Sequence, residues 1–275
     1  MTTTNSFGRL KLLAGSLMLS LMPVVASHAG SLNITYFTIA TNNPDVNHLA
    51  GGTTNNEVQN FLGPDGLPVL NTAQYGCVSN CYNPAGAPGT PLVGPANNLN
   101  VITGGAGAGE ITYWSPGLNN TVTQTGTGII TLPFNVPFNF FPPNGTGGSD
   151  ANGFQAAIIS GNLTVPNNVS SETISFNIGA DDMAFAYLDN QIVCDLGGVH
   201  GDSAGTCISA VVGPGSHALE VFFVDVNQVQ SALTFGVNTT NIVETPNGSV
   251  PEPGTLALTG LCLALLGLLR LRQPR

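Results

Sequence analysis

An all-β fold, an antiparallel sandwich, is what this sequence predicts, on three observations. Large apolar side chains alternate with polar ones over short runs. Gly, Pro and Asn punctuate those runs, and no segment between residues 30 and 250 carries a helical period. A part of roughly 220 residues between two distinctive ends suits one larger all-β domain.

The N-terminal end comes first. Arg9 and Lys11 precede an apolar stretch over residues 12–25, interrupted by Gly15, Ser16, Ser20 and Pro23. Ser27-His28-Ala29 then places small residues at the −3 and −1 positions before Gly30. A positive region, a short apolar helix and small cleavage-type residues read as a secretory signal over residues 1–29; a first membrane helix is the alternative.

The next third of the chain is rich in turn formers. Residues 76–110 are dominated by Gly, Pro, Asn and Ala, including Gly104-Gly105-Ala106-Gly107-Ala108-Gly109. So little apolar area offsets little ordering entropy, which predicts long loops. Tyr113 and Trp114 follow, and are open to two readings: core packing, or an aromatic platform for a sugar ring.

Strand patterns are clearest from residue 173 onward. Ile174, Phe176 and Ile178 alternate with Thr173, Ser175 and Asn177. Met183, Phe185 and Tyr187 would share one face, as would Leu219, Val221 and Phe223, then Leu233, Phe235 and Val237. Asp189-Asn190 and Gly213-Pro214-Gly215 are the turns between them.

The C-terminal end is a second address. Val250-Pro251-Glu252-Pro253 precedes an apolar run over residues 256–269, then Arg270-Leu271-Arg272-Gln273-Pro274-Arg275. The run is short against the ~20 residues of a full span. Its basic tail would stay cytoplasmic, leaving the rest of the chain outside. Pro251 and Pro253 hold Glu252 in an extended, accessible tripeptide above the bilayer.

Charge divides these ends from the middle. The net charge is −10, and all five basic residues (Arg9, Lys11, Arg270, Arg272 and Arg275) lie in the two terminal segments. Of the fifteen Asp and Glu, only Glu252 lies beyond residue 250, so fourteen fall in a domain without Lys or Arg. Phosphate-backbone recognition needs clustered basic residues, so nucleic acid is excluded as a partner. Acids without an internal counter-charge suit an external hard cation such as calcium, or serve solubility alone.

Cysteine usage fits an oxidising compartment. Cys262 lies in the C-terminal apolar run, and the other four form two local pairs, Cys77 with Cys81 and Cys194 with Cys207. An even count favours disulfides, and the local pairing is expected from the three connectivities that four cysteines allow. Zinc is the rival for Cys77 and Cys81, but no second ligand cluster stands near them.

The chemically informative segment is residues 179–195. Asp181 and Asp182 end one strand, and two adjacent carboxylates at a strand end can share a cation if the backbone bends between them. Asp225 and Asn227 follow a later strand and could add oxygens from a neighbouring loop. The plain alternative is that the two acids shape a turn. His200, in Gly197-Gly198-Val199-His200-Gly201-Asp202, reads as structural, since no nucleophile stands at motif spacing. No Gly-x-Ser-x-Gly elbow, His-Glu-x-x-His helix or Walker loop is present. The chain is therefore expected not to be an enzyme.

Two resemblances sharpen this reading. Pro251-Glu252-Pro253, the apolar helix and the terminal arginines resemble the PEP-CTERM sorting tail, an exosortase substrate. That implies an exosortase-type enzyme as partner, transient inner-membrane anchoring by the transmembrane helix in residues 250–275, and removal of that helix afterwards. Asp181-Asp182, Tyr187-Leu188-Asp189-Asn190 and Ile192-Val193 before Asp195 resemble the PA14 domain, a β-sandwich of adhesins, glycosidases and toxins. Asn43-Pro44-Asp45, Leu62-Gly63-Pro64-Asp65-Gly66-Leu67-Pro68-Val69, Phe141-Pro142-Pro143-Asn144-Gly145 and Asp195-Leu196-Gly197-Gly198-Val199-His200 resemble its fibro-slime variant, taken to span residues 30–245.

In sugar-binding PA14 adhesins a cis-linked aspartate pair holds calcium, which ligates sugar hydroxyls. The resemblance thus assigns calcium as cofactor to Asp181 and Asp182, with Asp225 and Asn227 as weaker transfers. Ala180 departs from the fibro-slime pattern, which has a third acid there. The expected function is calcium-dependent carbohydrate binding or adhesion at the cell surface, the outer membrane or an extracellular polysaccharide matrix such as a biofilm. A purely structural matrix or appendage subunit is the alternative, and a polysaccharide hydrolase ranks third.

Overall fold

A computed structural model describes residues 31–43, 45–46, 52–71, 100–136, 153–227, 230–239 and 242–246. The signal segment, Phe141-Pro142-Pro143-Asn144-Gly145, Cys77, Cys81, the Pro251-Glu252-Pro253 motif and the C-terminal apolar run with Cys262 lie outside the described residues. No helix occurs among the described residues, in keeping with the all-β expectation.

The strands run in chain order as β1 (Ser31–Ile39), β2 (Val58–Leu62), β3 (Pro68–Leu70), β4 (Val122–Thr131), β5 (Phe134–Val136), β6 (Phe154–Val165), β7 (Glu172–Ile174) and β8 (Phe176–Asp181). There follow β9 (Met183–Leu188), β10 (Gln191–Leu196), β11 (Ser203–Ala204), β12 (Thr206–Cys207), β13 (Ala210–Val212), β14 (Gly215–Val224), β15 (Ala232–Val237) and β16 (Val243–Pro246).

A large sheet has the order β12-β10-β9-β14-β6-β1-β4, with β16 also on β6. A four-stranded sheet, β11-β8-β15-β5, packs on one of its faces. Period-two alternation builds the layer between them. Leu32, Ile34 and Tyr36 of β1 meet Phe176 and Ile178 of β8 and Leu233 and Phe235 of β15, together with Leu219, Val221 and Phe223 of β14.

The opposite face of the large sheet is also covered. Phe37 and Ile39, Met183, Phe185, Tyr187, Phe222 and Val224 pack under a cap that contributes Val46, Val58, Leu67, Ile111, Tyr113 and Trp114. Burial on both faces explains the sequence of β9. All six of its residues are buried, with Ala184 and Ala186 towards the four-stranded sheet and Met183, Phe185 and Tyr187 towards the cap. Small residues let the sheets approach on one side while large ones fill the cap on the other.

Trp114 belongs to this second core and is only 3% exposed. Its indole N–H donates to the Phe223 carbonyl at 2.8 Å, and its ring meets Phe222 edge-on. Tyr113 is fully buried beside it. The aromatic-platform reading of this pair is thereby replaced by core packing.

The cap is more ordered than its composition implies. Val69 bridges to Glu110, Val101 to Ile111 and Thr54 to Gly197. Beneath it lies a buried polar network. The Asn100 amide donates to the Asp45 carboxylate at 2.8 Å and to Asn43 at 2.9 Å, Asn119 donates to Asn100, and the Tyr113 hydroxyl reaches Asp45 at 3.2 Å. Amides that satisfy one another replace the apolar area that Gly and Asn do not supply.

The two ends of the domain meet on β6. Asn33 of β1 pairs with Ser160, and Pro246 of β16 pairs with the adjacent Gly161. The chain therefore enters and leaves the sandwich side by side.

The inter-sheet layer gives a direct test. Phe235→Ala is expected to cost about 3–5 kcal/mol, the range for truncating a buried aromatic, in urea unfolding. Ile129→Ser, at a side chain 69% exposed on β4, should stay within about 0.5 kcal/mol of the parent.

Candidate functional site

Asp181 ends β8 in the four-stranded sheet and Met183 opens β9 in the large sheet, so Asp181-Asp182 is where the chain changes sheets. The peptide between the two is cis. Both side chains are sealed from solvent, Asp181 at 2% exposure and Asp182 at 0%.

Asp182 works as an anchor for two loops. Its Oδ1 accepts the His200 N–H at 2.9 Å, and its Oδ2 accepts the Val226 N–H at 2.9 Å and the Asn227 N–H at 3.0 Å. The loop after β10 and the loop after β14 are thus drawn to one carboxylate. Asp225, fully buried, accepts the Asn227 N–H on Oδ1 at 3.2 Å and lies within side-chain reach of Asp182.

Asp181 is placed differently. The Asp202 N–H approaches its carboxylate, but Oδ2 is buried and accepts no hydrogen bond. Of the four residues expected to form one cluster, Asp182, Asp225 and Asn227 come together beside Asp181 at one end of the sandwich, but Asp181, Asp182 and Asp225 are not arranged as a three-carboxylate metal centre. Asn227 reaches Asp182 with its backbone N–H.

The electrostatics follow from burial. Desolvation, reinforced by the charges of Asp182 and Asp202, pushes Asp181 up to about 8. Burial also raises Asp182, to about 6, although the three N–H donors and Asp225 pull it back. His200 offers no counter-charge, because burial lowers its pKa and favours the neutral ring. Its Nδ1 meets the Gly201 carbonyl at 2.8 Å, and its Nε2 is buried without a partner. His217, on β14, meets Asp189 of the β9–β10 turn at 2.6 Å, where burial opposes its charge but the Asp189 contact raises its pKa overall, away from the Asp181-Asp182 pair.

Further acids, none of them in the expected site cluster, are also interior. Glu57 and Glu110 are fully buried, and Asp195 is half-buried and raised to about 6 by burial. No local pattern marks Glu57 within Thr-Asn-Asn-Glu-Val. The indirect signal is Gly197, where any Cβ would collide with the Glu57 carboxylate. Among the described residues, no group of three or more His, Cys, Asp or Glu side chains is arranged to hold a metal ion. Any cation at Asp181-Asp182 would have to complete its shell with amide, carbonyl, water or ligand oxygens, as calcium does.

The Gly197-Gly198-Val199-His200 loop leaves β10 and returns through β11 and β12. Cys194 and Cys207 face each other across β10 and β12 and form a disulfide, the pairing expected for them. That bond clips the loop whose His200 N–H holds Asp182.

Residues 249–273 match the PEP-CTERM protein-sorting motif, which marks an exported chain that transits the membrane and is sorted to the cell surface. No curated protein matches the chain. Among solved structures it is similar to an anti-sigma factor domain-containing protein at 14% identity and TM-score 0.31, over 46% of this chain and 45% of that one. The match thus spans less than half of that relative's length. It is also similar to a PA14 sugar-binding domain from an RTX adhesin, at 13% identity and TM-score 0.30, covering 78% and 95% of the two chains. A third likeness is to the epithelial adhesin 9 A domain of Candida glabrata in complex with Galb1-4GlcNAc, at 11% identity and TM-score 0.35, covering 78% and 85%.

The raised carboxyls fix the sign of the pH dependence. Folded Asp181, Asp182 and Asp195 keep protons that the unfolded chain releases near 3.8, so the unfolded state binds fewer protons. In chelator, stability should be greatest near pH 4 and fall as pH rises through about 6 and then about 8. The slope is at most about 1.4 kcal/mol per pH unit for each titrating group. Thermal unfolding at pH 4.5, 6 and 8 reads this, and Asp181→Asn should flatten the upper part of the fall. A melting temperature that rises across that range in chelator contradicts the assignment.

Proposed function

We propose that the exported domain is a non-catalytic PA14-like module that binds carbohydrate at the cell surface or in an exopolysaccharide matrix, through calcium held at Asp181-Asp182. The observation that carries this reading is Asp181 Oδ2, a buried carboxylate oxygen without a hydrogen-bond partner, beside a second buried carboxylate in a domain that lacks Lys and Arg.

Two like charges in a low-dielectric site need a counter-charge or a proton. A hard divalent cation supplies the former, and calcium tolerates the irregular geometry of a loop site. In this reading Asp181 offers the open oxygen. Asp182 holds the Val226–Asn227 and His200 loops in place around it. Asp225 and Asn227 stand on the loop nearest the pair, from which further oxygens would come. An exosortase-type enzyme is the processing partner that the sorting motif implies. The C-terminal apolar segment would tether the chain to the inner membrane until then, before release to the surface, the outer membrane or the matrix.

One observation favours a second reading. Both Asp182 oxygens are satisfied by backbone N–H groups, which is also what an internal anchor in a purely structural matrix subunit would show.

Calcium separates the two. At pH 7.5 a bound ion should raise the melting temperature, with about 2.7 kcal/mol of stabilisation at a hundredfold excess over Kd. Glycan-array binding should be lost in chelator and in the Asp181→Ala/Asp182→Ala variant. Calcium-independent stability together with glycan binding by that variant would sink the calcium reading and leave the structural one.

A further inference from the structure

A second group of carboxylates lies away from the sheet crossover. Glu57 stands immediately before β2, fully buried, and neither of its carboxylate oxygens completes a hydrogen bond. The Gly198 N–H approaches it without closing one. Its carboxylate lies over Gly197, which has room for it only because Gly197 has no Cβ.

Asp195, on β10, faces the same segment. The N–H groups of Val58, Glu57 and Asn56 point at its carboxylate, while its Oδ1 is buried and accepts nothing. Asp195 is the charge felt most strongly by Glu57, and Asp45 adds to it. Three carboxylate oxygens (Glu57 Oε1, Glu57 Oε2 and Asp195 Oδ1) are thus buried without a hydrogen-bond donor in one region. No lysine or arginine exists in the domain to meet them.

We propose that Glu57 and Asp195 form a second divalent-cation site, for a hard, oxygen-seeking ion such as calcium, separate from Asp181-Asp182. The buried, unpartnered Glu57 carboxylate is what distinguishes this from a solvated acidic patch. A cleft of about 230 Å³ between Asn55, Asn56 and Asn60 on one side and Ile192, Val193 and Asp195 on the other opens on Asp195. The amide oxygens of its three asparagines suit a hard cation that keeps part of its hydration.

An ion there would tie the segment before β2 to β10. That places it beneath the 197–200 loop, already bridged to Thr54, whose His200 N–H holds Asp182. Occupancy of the interior site would therefore brace the loop that shapes the crossover site.

Isothermal titration of the chelator-stripped protein with calcium chloride at pH 7.5 tests this. The expected stoichiometry is two ions for the parent, one for Glu57→Gln, one for Asp181→Asn/Asp182→Asn and none for the combined variant. Asp195→Asn should count one ion, and stands in if Glu57→Gln does not fold. The proposal is overturned if Glu57→Gln and Asp195→Asn bind as many ions as the parent. It is equally overturned if Asp181→Asn/Asp182→Asn alone removes all binding. If Glu57→Gln leaves the ion count unchanged and raises the calcium-free melting temperature at pH 8, the pair shares a proton instead. A parent that binds one ion, lost in Glu57→Gln but kept in Asp181→Asn/Asp182→Asn, supports this site and defeats the crossover reading.

Discussion

Among the described residues, the interior of this domain holds six buried carboxylates, Asp45, Glu57, Glu110, Asp181, Asp182 and Asp225, with no lysine or arginine to neutralise them. An isolated ionised carboxylate in a protein interior is too costly to persist, so each must be met by hydrogen-bond donors, by a proton or by an external cation. How each is met organises the loops around the sandwich.

Backbone and side-chain donors do most of this. Asp182 collects three N–H groups from two loops, and Asp45 is held by Asn100 and Tyr113. Glu110 takes the N–H groups of Asp65 and Leu67 across the β2–β3 turn. In each case one acid gathers a turn that has few apolar residues of its own. Carboxylates thus take the place of a hydrophobic core in the Gly- and Asn-rich loops, and they bring the loops to defined positions. The cost is concentrated at Asp181 and Glu57, where donors are missing and burial raises the pKa. Those are the positions at which the proposed cations would change the energetics most.

The large sheet supplies the rigid frame for this arrangement. Its central strands β9, β14 and β6 are covered on both faces, and the crossover from β8 to β9 joins the two sheets at Asp181-Asp182. A pair of acids fixed at a sheet junction, with one loop clipped by the Cys194–Cys207 bond, is held by elements that cannot move independently. The entry and exit strands β1 and β16 lie side by side on β6, so the two ends of the described domain are close together on the frame.

Much of this was legible in the sequence. Period-two alternation marked β8, β9, β14 and β15, because a strand buried against a neighbouring sheet must send every second side chain inward. Asp189-Asn190 marked its hairpin, since both residues adopt the positive φ that such a turn requires. Composition alone separated two basic terminal segments from an acidic domain, and the residues of the sorting motif are contiguous. What could not be read was every feature made by residues distant in the chain. Glu57 looks like any polar loop residue, because its burial depends on Gly197 some 140 positions later. Trp114 invited a surface role until the cap closed over it, and residues 100–110 read as open loop although Asn100 and Glu110 are fully buried. Local pattern and charge are properties of the chain itself. Which carboxylates lose their water, and which donors reach them, is decided only when separate segments pack together.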